Sequence, residues 1–236
     1  MIRLFLPLFV TAFAVSPLPS QSRLDFVVDP VASDVQLTIQ LVVGGASDTD
    51  GPKAVELTGD SDARVKFERE AALGPYVTSV RPGANRVFAS DTTFDLVIVN
   101  FLPIFFTIEG TGLSGSLSND RWFAAPPTAQ GTTELTTVDG TFTFDQGILQ
   151  VTSSLGVNET VDLSVEPLTF PITEAATMVA VLDGSWLDLR LDVPLDQTTT
   201  ITQTGITANV TITGSLVLRG STSLLTKGAP LPVLLP

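Results

Sequence analysis

Apolar and polar residues alternate strictly in several parts of the chain. In residues 35–41 every odd-numbered residue is apolar and every even-numbered residue is polar, and the same period of two runs through 160–165, 186–193 and 206–213. A period of two indicates a β-strand with one face on the core and the other in water. The alternation predicts ten buried side chains: Leu37, Ile39, Phe94, Leu96, Ile98, Phe106, Ile108, Leu163, Leu189 and Leu191.

Turn signals separate these segments at short intervals. Gly-Gly stands at 44–45, Gly-Pro at 74–75, and Asp-Gly at both 139–140 and 183–184. Together with abundant Thr and Val, this predicts an all-β fold, an antiparallel β-sandwich or barrel of many short strands with almost no helix. We expect a single β domain over 23–228, or two similar halves at about 23–117 and 134–228.

Two neighbouring segments, 94–99 and 104–108, are apolar at almost every position. A strand that is apolar on both faces lies centrally or contacts a second layer. Phe101, Phe105 and Phe106 are therefore candidates to line an apolar ligand cavity or a lipid-facing surface, and ordinary core packing is the alternative interpretation. The stretch 118–133, with its paired prolines, predicts the longest loop.

The N-terminus has the order of a secretory signal peptide. Arg3 precedes an apolar run at 4–15, and polar, turn-forming residues follow. A helix of that length is too short to cross a bilayer, so we interpret residues 1–22 as a signal peptide and expect no transmembrane span in the mature protein. The protein is then exported to the periplasm, the cell surface or the exterior. At the other end, the Pro-rich apolar tail at 229–236 is expected to dock on the domain or to contact a partner.

Composition removes several classes of function. The chain of 236 residues has no histidine and no cysteine, which excludes Ser-His-Asp triads, cysteine nucleophiles and thiolate metal sites. Its net charge of −13 argues against a nucleic-acid partner. An exported protein without cysteine must be stabilised by packing alone.

Acidic and aromatic residues supply the remaining candidate chemistry. Asp48 and Asp50, and further along Asp60 and Asp62, form short clusters that resemble fragments of calcium loops, with polar turns as the alternative. No other cofactor is indicated. Trp122 and Trp186 are candidates to stack on sugar rings, as in carbohydrate-binding sandwiches.

Three segments resemble the bacterial periplasmic polyisoprenoid-binding, lipocalin-like family. The first, 26–37, has an aromatic residue, Asp29, Ser33 and then alternating apolar positions, although Ala32 stands where the family often has histidine. The others are 139–145 and 212–218, in the same order as in the family. The resemblance implies a secreted barrel whose interior holds a lipid chain. The opening and the Thr-rich composition also resemble uncharacterised exported β proteins of environmental bacteria.

These observations lead to one expectation and two alternatives for function. We expect an exported structural or interaction protein of the cell envelope or exterior, without enzymatic activity. The first alternative is a lipocalin-like binder of an apolar ligand, an isoprenoid or fatty chain. The second alternative is a carbohydrate-binding β-sandwich.

Overall fold

The computed structural model describes residues 22–70, 74–99, 102–118, 120–125, 131–183, 186–203 and 206–223. The predicted signal peptide up to residue 21, Phe101 and the tail at 229–236 lie outside these residues. The structure is entirely antiparallel β, with no helix in the residues it describes, which confirms the predicted fold class.

The described residues form 17 strands. In chain order they are β1 (Ser22–Val28), β2 (Gln36–Val43), β3 (Ala46–Ala54), β4 (Leu57–Glu70), β5 (Gly74–Ala89), β6 (Thr92–Val99), β7 (Pro103–Leu117), β8 (Trp122–Ala124), β9 (Thr132–Thr136), β10 (Thr141–Ser153), β11 (Asn158–Asp162), β12 (Leu168–Pro171), β13 (Ala176–Asp183), β14 (Trp186–Pro194), β15 (Gln197–Gln203), β16 (Ile206–Thr213) and β17 (Ser215–Ser223).

Eight of these strands close into a barrel. They pair in the order β1, β4, β5, β8, β9, β13, β14 and β17, and β17 pairs back with β1. The order around the barrel is therefore the order along the chain, which is the arrangement of an up-and-down meander. Closure leaves the barrel without exposed sheet edges.

The other strands form a second part of the structure, here called the upper section. Strands β15, β16, β2 and β3 make a separate four-stranded sheet. Strands β6, β7, β10, β11 and β12 pair with one another and are continuous with the barrel through the pairing of β7 with β5. The chain leaves the barrel after β1, β5, β9 and β14, and returns with β4, β8, β13 and β17. Each barrel strand is thus followed or preceded along the chain by an upper strand, which makes eight long arms; among the described strands, β11 belongs to none of them.

Backbone and side-chain hydrogen bonds continue the ladders where the arms pass between the two sections. The backbone amide of Val217 donates to Ser33 Oγ at 3.0 Å. Asp29 accepts from the amides of Val31 and Ala32, each at 3.1 Å, and forms an ion pair with Arg219. The hydrogen bond from the Ala32 amide, with further help from Arg219, lowers the pKa of Asp29 below its usual value. Asp29 and Ser33 therefore stabilise the junction of β1, β2 and β17.

One continuous apolar core runs through the barrel and the upper section. All ten side chains predicted to be buried belong to it, which confirms the core prediction. Both candidate halves, 23–117 and 134–228, contribute strands to the barrel and to the upper section. No helix among the described residues is long and apolar enough to cross a membrane.

Two local expectations differ from the structure. Strands β6 and β7 are not covered on both faces, because Val97, Val99 and Phe105 point outward and are exposed. Each sheet of the upper section packs on the core with one face only, so the other face stays in solvent. The predicted loop at 118–133 contains strand β8, which is needed to close the barrel between β5 and β9.

Candidate functional site

A small apolar cavity lies between the two sheets of the upper section. Its volume is about 40 Å³. Its walls include Ile39, Leu41, Ile108, Leu149, Ile206 and Ala208. A buried water needs roughly 10–15 Å³, whereas small-molecule pockets occupy about 300–1,000 Å³. The cavity as it stands is therefore too small for a lipid chain.

The cavity lies beside an unpaired seam of the upper section. In the part of the chain that the structure describes, β11 pairs with β10 alone and β15 pairs with β16 alone. Glu159 of β11 and Ile201 of β15 contribute to the cavity wall at this seam. A side-chain hydrogen bond links the neighbouring part of the seam, from Gln197 Nε2 to Thr173 Oγ1 at 2.6 Å. Among the described residues no backbone ladder joins β11 to β15.

A second seam, between β3 and β6, is closed by side chains. Asp50 Oδ2 accepts from the Asp95 amide at 2.7 Å, and Asp48 Oδ2 accepts from the Val97 amide at 2.6 Å. These carboxylates replace the backbone carbonyls that a paired strand would offer. Lys53 Nζ then donates to Asp50 Oδ2 and to the backbone carbonyl of Thr93, both at 2.6 Å. The two aspartates therefore satisfy the edge of β6.

The protonation of Asp50 follows from these contacts. Partial burial of Asp50 opposes ionisation, but the hydrogen bonds from Lys53 and from the Asp95 amide outweigh it and lower the pKa of the carboxyl group below its usual value. A carboxyl group whose pKa is lowered by folding stabilises the native state above its unfolded pKa of about 3.9. That stabilisation is lost as the pH falls through the folded value.

We expect Asp50→Asn to lower the free energy of unfolding by about 1.5 kcal/mol at pH 7, because hydrogen bonds to charged groups contribute roughly 1.5–3 kcal/mol. Urea titrations of both proteins should show this difference at pH 7 and a progressively smaller one below about pH 4. Asp188→Asn, at an exposed carboxylate on β14, is the control and should leave the midpoint unchanged. A gap between wild type and Asp50→Asn that widens in acid would contradict the assignment.

The four acidic calcium candidates are divided between the two sections. Asp48 and Asp50 lie on β3 in the upper section, whereas Asp60 and Asp62 lie on β4 in the barrel. Asp62 forms an ion pair with Arg23. No group of three or more acidic side chains within the described ranges lies close enough together to hold a metal ion. The carboxylates of Asp48 and Asp50 already accept backbone amides of β6.

The aromatic candidates do not converge on one site. Phe106 is 3% exposed and points into the upper section, while Phe105, next to it on β7, is 57% exposed on the outer face. Trp122 is fully buried inside the barrel, and Trp186 is 54% exposed at the start of β14. The two tryptophans therefore share no flat surface on which a sugar ring would stack.

The sequence places Ile39 and Ile108 in the core but identifies neither of them as lining a cavity here. Ile206 and Ala208 had been identified only as the apolar face of an alternating strand, and Ile201 stands alone within a run of threonines. The alternation indicates which way these side chains point. Their meeting with Leu149 and Ile108 depends on how the two sheets face each other.

Comparisons of this chain with protein-family models, with curated proteins and with solved structures found no match. The similarity to the polyisoprenoid-binding family therefore remains a hypothesis based on the three segments described above.

Proposed function

We propose that this chain is an exported structural or interaction protein of the cell envelope or exterior, without catalysis. The small size of the apolar cavity in the upper section carries this proposal, since it holds only about 40 Å³. A protein with so small a cavity offers its outer surface to partners rather than an internal pocket. The eight long arms and their continuous core form a stiff scaffold without disulfides.

Export is tested by the N-terminus of the protein isolated from its own host. The cationic start and the apolar run at 4–15 support a cleaved signal peptide. Edman sequencing of the mature protein should begin between Val15 and Leu24. Recovery of intact Met1 from the cytoplasmic fraction would refute export.

A second candidate function is the binding of an apolar chain in the upper section. The apolar cavity beside the unpaired β11–β15 seam favours it, because a chain that parted the seam would enter between apolar walls. Native mass spectrometry of protein from its host tests the idea. If this function is correct, a lipid should co-purify with the wild type. The lipid should be lost in Ala208→Leu, because the larger side chain fills the cavity. It should be kept in Thr207→Leu, where the change is on the other face of the same strand. Protein that carries no lipid would exclude this function.

A further inference from the structure

Three arginines occupy opposed positions on three neighbouring strands of the barrel, and a fourth directly precedes the next strand. Arg23 of β1 lies opposite Arg64 of β4, and Arg64 lies opposite Arg81 of β5. Strand β5 next pairs with β8 through Val80 and Trp122. Arg121 directly precedes β8, at the position that an extension of this register puts opposite Arg81. All four arginines are exposed. We call this set the arginine row.

The arginine row is unexpected for two reasons: the chain has a negative net charge, and like charges are usually not placed opposite each other in a sheet. The chain has nine arginines and a net charge of −13, yet four of the nine stand side by side. Like charges directly opposite each other destabilise a sheet. Asp62 forms an ion pair with Arg23, but Arg64 forms none with any residue that the structure describes. The positive charge of Arg64 is therefore not neutralised by an ion pair within the described residues.

Another opposed arginine pair in the same barrel shows how the chain neutralises such a contact. Arg190 of β14 lies opposite Arg219 of β17. Arg190 Nε donates to Asp192 Oδ1 at 2.7 Å, and Arg219 forms an ion pair with Asp29. Each of these two guanidinium groups is thus paired with its own carboxylate. The contrast indicates that Arg64, within the arginine row, is open to an anion from outside the chain.

The surface beside the arginine row is shaped to receive a ligand. A register shift between β4 and β5, at Ser61 and Ala63, bends the ladder directly next to Arg64. The adjoining stretch of β5, 82–84, has only small side chains, and it forms the floor of a shallow groove of about 340 Å³. The walls of the groove include Arg23, Arg64 and Arg81. Asp62 also lines it and is the acidic group that an anion must avoid.

We propose that the arginine row binds a linear polymer bearing tetrahedral oxyanions, sulfate or phosphate groups. The guanidinium fork binds two oxygens of such a group at once. Neighbouring strands are about 4.8 Å apart, so the row extends roughly 14 Å, longer than one phosphate or sulfate group. An extended chain with successive oxyanions matches that length. This inference rests on the proposed interaction role, for which it names the class of partner.

Fluorescence anisotropy of labelled heparin, a sulfated chain, and of labelled linear polyphosphate tests the proposal on the full chain. The double variant Arg64→Gln/Arg81→Gln should weaken binding at 50 mM NaCl at least tenfold. Arg190→Gln/Arg219→Gln removes the same charge from the other opposed pair and should change affinity less than twofold. Affinity of the wild type should fall steeply between 50 and 200 mM NaCl, because ions compete for the guanidinium groups. Circular dichroism confirms that both variants are folded.

The two polymers distinguish the source of the oxyanion, and row-dependent binding of either one supports the proposal. Absence of wild-type binding to both polymers at 50 mM NaCl would overturn it, as would an equal loss in the two double variants. The proposal would also be overturned if the wild type, but not Arg64→Gln/Arg81→Gln, sedimented with phosphatidylglycerol vesicles while neither soluble polymer was bound. That result would assign the arginine row to a membrane surface. None of these results affects the N-terminal sequence, which tests export separately.

Discussion

Phe106→Ala should lower the free energy of unfolding by about 3–5 kcal/mol, the usual loss when a fully packed phenylalanine is truncated in a core. The ring is 3% exposed, and its residue pairs with Leu96 of β6 inside the upper section. Closely packed neighbours collapse only partly into the space of a lost ring, so a cavity term adds to the lost transfer free energy. Urea or thermal titration of both proteins measures the difference.

Phe105→Ala is the matched control, because the same side chain is removed one residue earlier on the same strand. Phe105 is 57% exposed and lies opposite Val97 on the outer face. Its loss should cost less than about 1 kcal/mol, since surface substitutions remove little buried area. Equal losses of stability for the two variants would show that Phe105 and Phe106 do not lie on opposite faces of β7 as described. A small loss for Phe106→Ala would place its ring against a larger void and favour the apolar-ligand function.

Gly59→Ala should destabilise the protein by about 2–5 kcal/mol, through backbone strain and overpacking together. The φ of Gly59 is +134°, and a Cβ there would lie 2.1 Å from the backbone carbonyl oxygen of Arg86. Gly59 lies opposite Val87, and Val87 lies opposite Gly115 of β7. Glycine on both sides of Val87 lets β4, β5 and β7 approach closely where the barrel meets the upper section.

Gly112→Ala separates strain from crowding. Gly112 has a φ of +61°, but no atom lies within 4 Å of the position that a Cβ would take. The expected loss is therefore the left-handed strain alone, about 1 kcal/mol. A chemical-denaturation series with both variants and the wild type makes the comparison. If Gly112→Ala proved as costly as Gly59→Ala, close approach at Gly59 would not be the cause.

Local pattern was enough to predict the strands and the direction of their side chains. The alternation at 35–41 and 186–193 identified Leu37, Ile39, Leu189 and Leu191 as core, and all four are buried. Side chains on a strand alternate between its two faces, so direction is a property of the local backbone. The same rule failed for the outer face of β6 and β7, because hydrophobicity alone does not tell whether a second layer covers an apolar face.

The site residues show the opposite case. Asp48 and Asp50 stood in a cluster that resembled a cation loop, yet their carboxylates accept the amides of Val97 and Asp95, more than forty residues along the chain. An unpaired strand edge must find acceptors for its amides, and nearby aspartates supply them. The edge of β6 that faces β3 needs these acceptors because β6 pairs with β7 and not with β3. That pairing cannot be read from the local sequence.

The sequence by itself determined that the chain is all-β, that particular side chains face the core, and that the common chemistries of histidine and cysteine are absent. These properties depend on composition and on the two-residue period of a strand, which are local. Only the tertiary structure decided that eight strands close into a barrel, that the cavity is small, and that four arginines stand in one row. Each depends on register between strands distant in sequence, and a one-residue shift of register would separate Arg23 from Arg64.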